Sequence, residues 1–84
     1  MNIVGKVLRF RGLRNVFLSV GEKMFVLKHP QRYERFSASG FEEAELAEML
    51  GKMCAVEGRL DGVEIIATSW QIHATEKAQE RNIS

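Results

Sequence analysis

Asn15-Val16-Phe17-Leu18-Ser19-Val20, then Gly21-Glu22, then Lys23-Met24-Phe25-Val26-Leu27-Lys28: this stretch decides how the chain folds. Both arms are rich in β-branched and aromatic residues, which suit a pleated, half-buried surface. Gly-X at the tip suits a two-residue type II′ turn, because glycine adopts positive φ at little cost. A two-residue turn sets Val20 against Lys23, Leu18 against Phe25 and Val16 against Leu27 on one face. The other face then pairs Phe17 with Val26 and Ser19 with Met24, with Asn15 near Lys28 at the open end. A three-residue turn would set Val16 against Lys28, a poorer pairing for a buried face. The sequence therefore predicts Val16, Leu18, Phe25 and Leu27 as core. Phe17, Met24 and Val26 remain as an apolar strip on the outside, and such a strip calls for a ligand or a partner.

Upstream, Ile3 to Arg11 reads as a first strand interrupted by Gly5. Lys6, Leu8 and Phe10 share one face, and Val7, Arg9 and Arg11 share the other. Apolar residues on both faces fit a long, coiled strand, with Gly5 as its bend or bulge. The short basic loop Arg11-Gly12-Leu13-Arg14-Asn15 leads into the hairpin.

Downstream, His29-Pro30 stops the strand, since proline removes a ladder donor and restricts its predecessor. Gln31-Arg32-Tyr33-Glu34-Arg35-Phe36 mixes charge with aromatics, and Ser37-Ala38-Ser39-Gly40 connects it to a helix. Ser39 and Glu42 have capping-box spacing, so the helix is expected over about Phe41 to Lys52, ending on Gly51. Leu46, Met49 and Leu50 lie on one side of this short amphipathic plug. Met53 to Arg59 and Val63 to His73 read as the last two strands, joined at Leu60-Asp61-Gly62, where Asp-Gly is a hairpin signal. Cys54 and Val56 point one way in the fourth strand, Ala55 and Glu57 the other. In the fifth strand neither face is purely polar, because Ile66, Trp70 and Ile72 share the set that holds Glu64 and Thr68. Residues 1–75 are read as one small barrel domain, and the polar stretch 76–84 as a flexible tail.

The 84 residues bound a core near the lower limit for independent folding. A single cysteine, Cys54, excludes an internal disulfide framework. No apolar run is long enough to span a membrane, and the N-terminus has no secretory pattern, so a cytoplasmic setting is expected. The net charge of +1 hides an asymmetry: residues 1–40 carry eight Lys/Arg against two Glu, and residues 41–84 carry four against nine Asp/Glu. This fits either a positive face suited to polyanions or an ordinary mixed surface, since halves of a sequence need not be halves in space.

The order strand, strand, strand, helix, strand, strand, with a glycine bend in the first strand, resembles the OB-fold. That fold is an all-β, five-stranded Greek-key barrel with its helix between strands three and four. Gly5-Lys6-Val7, Arg9-x-Arg11-Gly12 and Val16-Phe17-Leu18 look most like the anticodon-binding type of nucleic-acid OB module. That resemblance implies Phe17 as a base-stacking residue and Arg9, Arg11 and Arg14 as backbone contacts. The chain departs from the type in carrying Ser19-Val20-Gly21 where that family has Leu-Arg-Asp. Within these 84 residues neither a synthetase catalytic domain nor the aromatic motif of cold-shock domains occurs.

The candidate site is therefore Arg9, Arg11, Arg14, Phe17, Met24, Val26, Lys28, Arg32 and Tyr33, facing single-stranded DNA or RNA. Lys23 also flanks this face. Tyr33 and Phe36 serve either as a mobile binding loop or as a lid on the barrel, and aromatics so closely spaced favour the lid. Trp70 reads as core or barrel rim, and Cys54 as a small apolar residue without a charge partner. No Cys/His spacing resembles a metal site, and no phosphate loop or nucleophile elbow occurs, so neither enzyme chemistry nor a cofactor is expected. The rival reading is an OB-fold adaptor that docks on a protein partner, or forms a homodimer, through the same strip.

Overall fold

A computed structural model describes residues 1–12, 14–33 and 39–73. Five strands close into a ring: β1 (Asn2–Leu8), β2 (Val16–Val20), β3 (Lys23–Lys28), β4 (Met53–Asp61) and β5 (Glu64–Ile72). The one helix among the described residues, α1 (Glu43–Met49), lies between β3 and β4. Around the barrel the order is β1-β2-β3-β5-β4, with β4 returning to β1. All neighbours are antiparallel except β3 and β5, which run parallel. Among the described residues no helix is long and apolar enough to cross a membrane. The stretch 34–38, which includes Arg35 and Phe36, and the tail 76–84 lie outside the described residues.

The β2–β3 hairpin has the expected register throughout, from Val20 opposite Lys23 to Val16 opposite Leu27. Gly21 makes the turn at φ +60°. Val16, Leu18 and Leu27 point into the barrel and are fully buried. Phe25, expected beside them, is only half-buried and packs against the cluster from its edge.

β1 joins the two halves of the ring. Its residues Asn2 to Lys6 pair with β4 and Lys6 to Leu8 pair with β2, so Lys6 faces both Ser19 and Met53. The strand must bend sharply to serve two partners, and Gly5 sits where it crosses β2. A Cβ there would lie 2.7 Å from the Ser19 carbonyl oxygen and 2.9 Å from Leu18 Cγ.

Two features of β4 and β5 differ from the sequence reading. The hairpin turn is Gly62-Val63, not one centred on Asp61-Gly62: Asp61 pairs with Glu64, and Gly62 takes the first turn position at φ +66°. Both hairpins of the barrel thus turn on Gly-X. The register also slips at Glu57/Gly58, because Thr68 is an extra residue between Ala67 and Ser69. Its hydroxyl donates to the Glu57 carbonyl at 3.1 Å. The bulge exchanges the faces of β5, so Ile65 and Ala67 point inward before it and Trp70 and Ile72 pack on the core after it. This is why neither face of that strand looked purely polar.

The helix begins later than expected. Its N-cap is Glu42, not Ser39, and Glu42 forms a reciprocal capping box with Glu45, whose carboxylate accepts the Glu42 N–H at 2.8 Å. Ser39 closes the preceding loop instead: its carbonyl accepts the His29 N–H at 2.7 Å and its hydroxyl accepts the Phe41 N–H at 3.3 Å. At the other end the Gly51 N–H donates to the Val7 carbonyl at 2.7 Å, and the Val7 N–H donates to the Lys52 carbonyl at 3.0 Å. The helix is thereby fastened to β1, and Leu46 and Met49, with Phe41 before them, plug the barrel.

Candidate functional site

The outward face of β1, β2 and β3 is set by strand parity. Val7, Leu18 and Leu27 point inward, so Leu8, Phe17 and Val26 point outward in one row across three strands, each opposite the next in register. Ser19 and Met24 form the next row, with Met24 45% exposed. Phe10, just past the end of β1, lays its ring on Phe17 with centroids 5.5 Å apart and planes tilted by 54°. Phe10 is itself 44% exposed. The apolar strip is therefore real, and wider than the hairpin alone.

Phe10 was missed as a site residue, although it shares the parity of Lys6 and Leu8. What could have placed it is the pairing of Leu8 with Phe17, which no local pattern reveals.

The cations divide into two groups. Arg11 and Arg14 are exposed on the β1–β2 loop, and Lys23 is exposed at the hairpin tip. Arg9 is engaged instead: its guanidinium donates to both oxygens of Glu43, at 2.9 and 3.4 Å. Arg32 donates to the Gly40 carbonyl at 3.1 Å and to Glu45 at 2.6 Å. Lys28 differs most from expectation, being 1% exposed, so it is not a surface contact for phosphate. Its ammonium lies 3.9 Å from Glu64 and 5.9 Å from the centroid of the half-buried Tyr33 ring. The positive first half of the sequence is thus partly neutralised by the acidic second half, and the two are not separate faces.

An open cleft of about 540 Å³ lies between the β1–β2 loop and the start of the helix. Arg9, Arg14 and Arg32 line it together with Phe41, Glu42 and Glu43. Arg9 and Arg32 already hold carboxylates there, which leaves Arg14 as the guanidinium turned to solvent.

Below the strip, His29 anchors the loop that leaves β3. Its Nδ1 accepts the N–H groups of Gln31 and Arg32 at 3.1 and 3.2 Å. Its ring stands edge-on to Phe41 and Trp70, which also meet each other at 5.0 Å. Trp70 is thus part of a rim cluster, as expected. Burial, and secondarily the Arg32 charge, lower the imidazole pKa against the opposing pull of Glu45 and Glu42. A depressed folded-state pKa means that the unfolded chain takes up the proton first. Stability contributed by this group is therefore complete above the ordinary value of 6.5 and falls as the pH drops below it. The urea midpoint should decline between neutrality and mildly acidic pH. His29→Asn keeps an acceptor for the two N–H groups but cannot titrate, and should flatten that decline. An unchanged pH slope in the variant would assign the effect elsewhere.

Burial raises the Glu45 pKa, but the Glu42 N–H and the Arg32 guanidinium outweigh it and hold the carboxyl below its ordinary value. Its contribution to stability is lost only at more acidic pH than that of His29. Burial pushes the Cys54 thiol up, consistent with its place as an apolar core residue.

Comparison with protein-family models, with curated proteins and with solved structures finds no match to this chain.

Proposed function

We propose that this chain is an OB-fold module that binds single-stranded nucleic acid through the outward face of β1, β2 and β3. The observation that carries this reading is the outward Phe10–Phe17 pair, with Phe10 exposed and Phe17 half-buried beneath it, flanked by Val26 and Met24 and bordered by Arg11 and Arg14. Aromatic faces take up unstacked bases, and cations alongside them follow the phosphates. The strand order β1-β2-β3-β5-β4, with the helix between β3 and β4, supports the OB assignment. The face needs single strands because bases in a duplex keep their own stacking partners.

A second reading, an adaptor that binds protein or itself, draws on a different observation. Val4 and Met53 are exposed on the outside of the β1–β4 pair, away from the aromatic strip. An interface there would leave Phe17 free.

Fluorescence anisotropy with short single- and double-stranded oligonucleotides, at low and moderate salt, tests the first reading. Single strands should bind more tightly than duplexes, and affinity should fall with salt. Failure to bind any oligonucleotide at low salt, together with a dimer on a sizing column, would give the adaptor reading precedence.

A further inference from the structure

The outward row across the sheet does not end at Val26. In the parallel β3–β5 pair Val26 faces Glu64, so Leu8, Phe17, Val26 and Glu64 stand side by side, one per strand. With strands about 4.8 Å apart, Glu64 lies about 10 Å across the sheet from Phe17. A carboxylate is out of place on a face that meets phosphates, because it repels them.

It is also held. The ammonium of Lys28 lies 3.9 Å from Glu64 Oε2, and Lys28 is itself buried, whereas the Glu64 side chain keeps 33% of its surface accessible. The ion pair restrains the carboxylate on the Lys28 side and leaves part of it accessible to solvent.

We infer that Glu64 reads the Watson–Crick edge of a base stacked at Phe17 and selects guanine. This rests on the nucleic-acid reading given above. A base lying over Phe17 and Val26 turns its far edge toward Glu64, and in a single strand that edge is free. A carboxylate offers acceptors only, so it favours the edge with the most adjacent donors. Guanine presents N1–H beside N2–H, two parallel donors that match the two carboxylate oxygens. Cytosine and adenine set one amino donor beside a ring-nitrogen acceptor. Thymine and uracil flank a single N–H with two carbonyls, which the carboxylate repels. Glu64 thus supplies the choice of base, and Phe10 and Phe17 supply sequence-tolerant stacking.

The test is anisotropy with a short oligothymidylate, the same strand carrying one central guanine, and the same strand carrying inosine there. The wild-type chain should prefer the guanine strand by roughly tenfold or more, the range of a good bidentate contact. Inosine lacks the N2 donor and should forfeit part of that preference. Glu64→Gln should abolish the preference and leave affinity for oligothymidylate unchanged or higher, since a negative charge is removed from the face. Equal wild-type affinity for the three strands overturns the inference, as does a guanine preference that survives in Glu64→Gln. A variant that merely melts earlier, with its base preference intact, would show that Glu64 serves only to pair Lys28. If Glu64→Gln does not fold, the inosine comparison on the wild-type chain decides alone. Absence of binding to every strand defeats the nucleic-acid reading itself, an outcome distinct from binding without preference.

Discussion

Gly5→Val should cost the barrel about 3 kcal/mol or more, the upper range for forcing extra atoms into a packed core. A domain of this length commands roughly 4–12 kcal/mol in all, so the loss is a large share of its stability. The reason is the crossing of β1 over β2. A Cβ at Gly5 would stand 2.7 Å from the Ser19 carbonyl oxygen and 2.8 Å from Val20 Cγ2. The side chain of Val20 can yield, but the Ser19 carbonyl belongs to the ladder opposite Lys6 and cannot move without loosening it. Gly12→Ala is the matched control. Gly12 has φ +84° with open space around its Cα, so alanine there meets only the left-handed backbone penalty, about 1–2 kcal/mol. Urea unfolding of both variants distinguishes the two costs. A midpoint for Gly5→Val no lower than that for Gly12→Ala would mean that β1 can bend elsewhere.

The second large effect is on binding: Phe17→Ala should weaken single-strand affinity by about 1–3 kcal/mol, or roughly one to two orders of magnitude. Phe17 points away from the core beside Val26, so its loss opens no cavity among the buried residues. Its ring does support Phe10, and losing that pair should lower stability by about 1 kcal/mol. Arg11→Ala should act differently, reducing affinity for all sequences alike and lowering the salt slope by about 0.7. Titrations at several salt concentrations, with a sizing column alongside, separate the two variants. Unfolding of Phe17→Ala would make Phe17 a core residue. Unchanged binding with an altered oligomeric state would make the strip a protein contact.

What could be read in the sequence was what local chemistry dictates. The β2–β3 register followed from one Gly-X turn and the alternation around it, and β4 kept its parity from Cys54 to Val56. Ser39 was misjudged because it and Glu42 both fit an N-cap, and only the His29–Ser39 hydrogen bond decides between them. The Thr68 bulge left no residue signature beyond a strand with apolar side chains on both faces. The candidate site was half legible for a related reason. Phe17, Met24 and Val26 were placed by strand parity, but the role of a cation depends on which carboxylate folding brings to it. Arg9 meets a partner 34 residues away and Arg32 one 13 away, while Lys28 meets Glu64 across a parallel pair closed late in the chain. Arg11 and Arg14 are exposed on the β1–β2 loop, where the sequence placed them.

The double pairing of β1 also bears on how quickly the molecule can assemble. The β2–β3 and β4–β5 hairpins are local, and such units form in roughly microseconds. The ring cannot close until Asn2 finds Glu57, 55 residues away, and Val26 finds Glu64, 38 residues away. Loop entropy must be met before those contacts give anything back, which places barrels of this kind in the range of roughly milliseconds to seconds. Until then β1 and β3 each keep an open edge. The interval before closure, more than the finished barrel, is when this chain is most open to pairing with a neighbour.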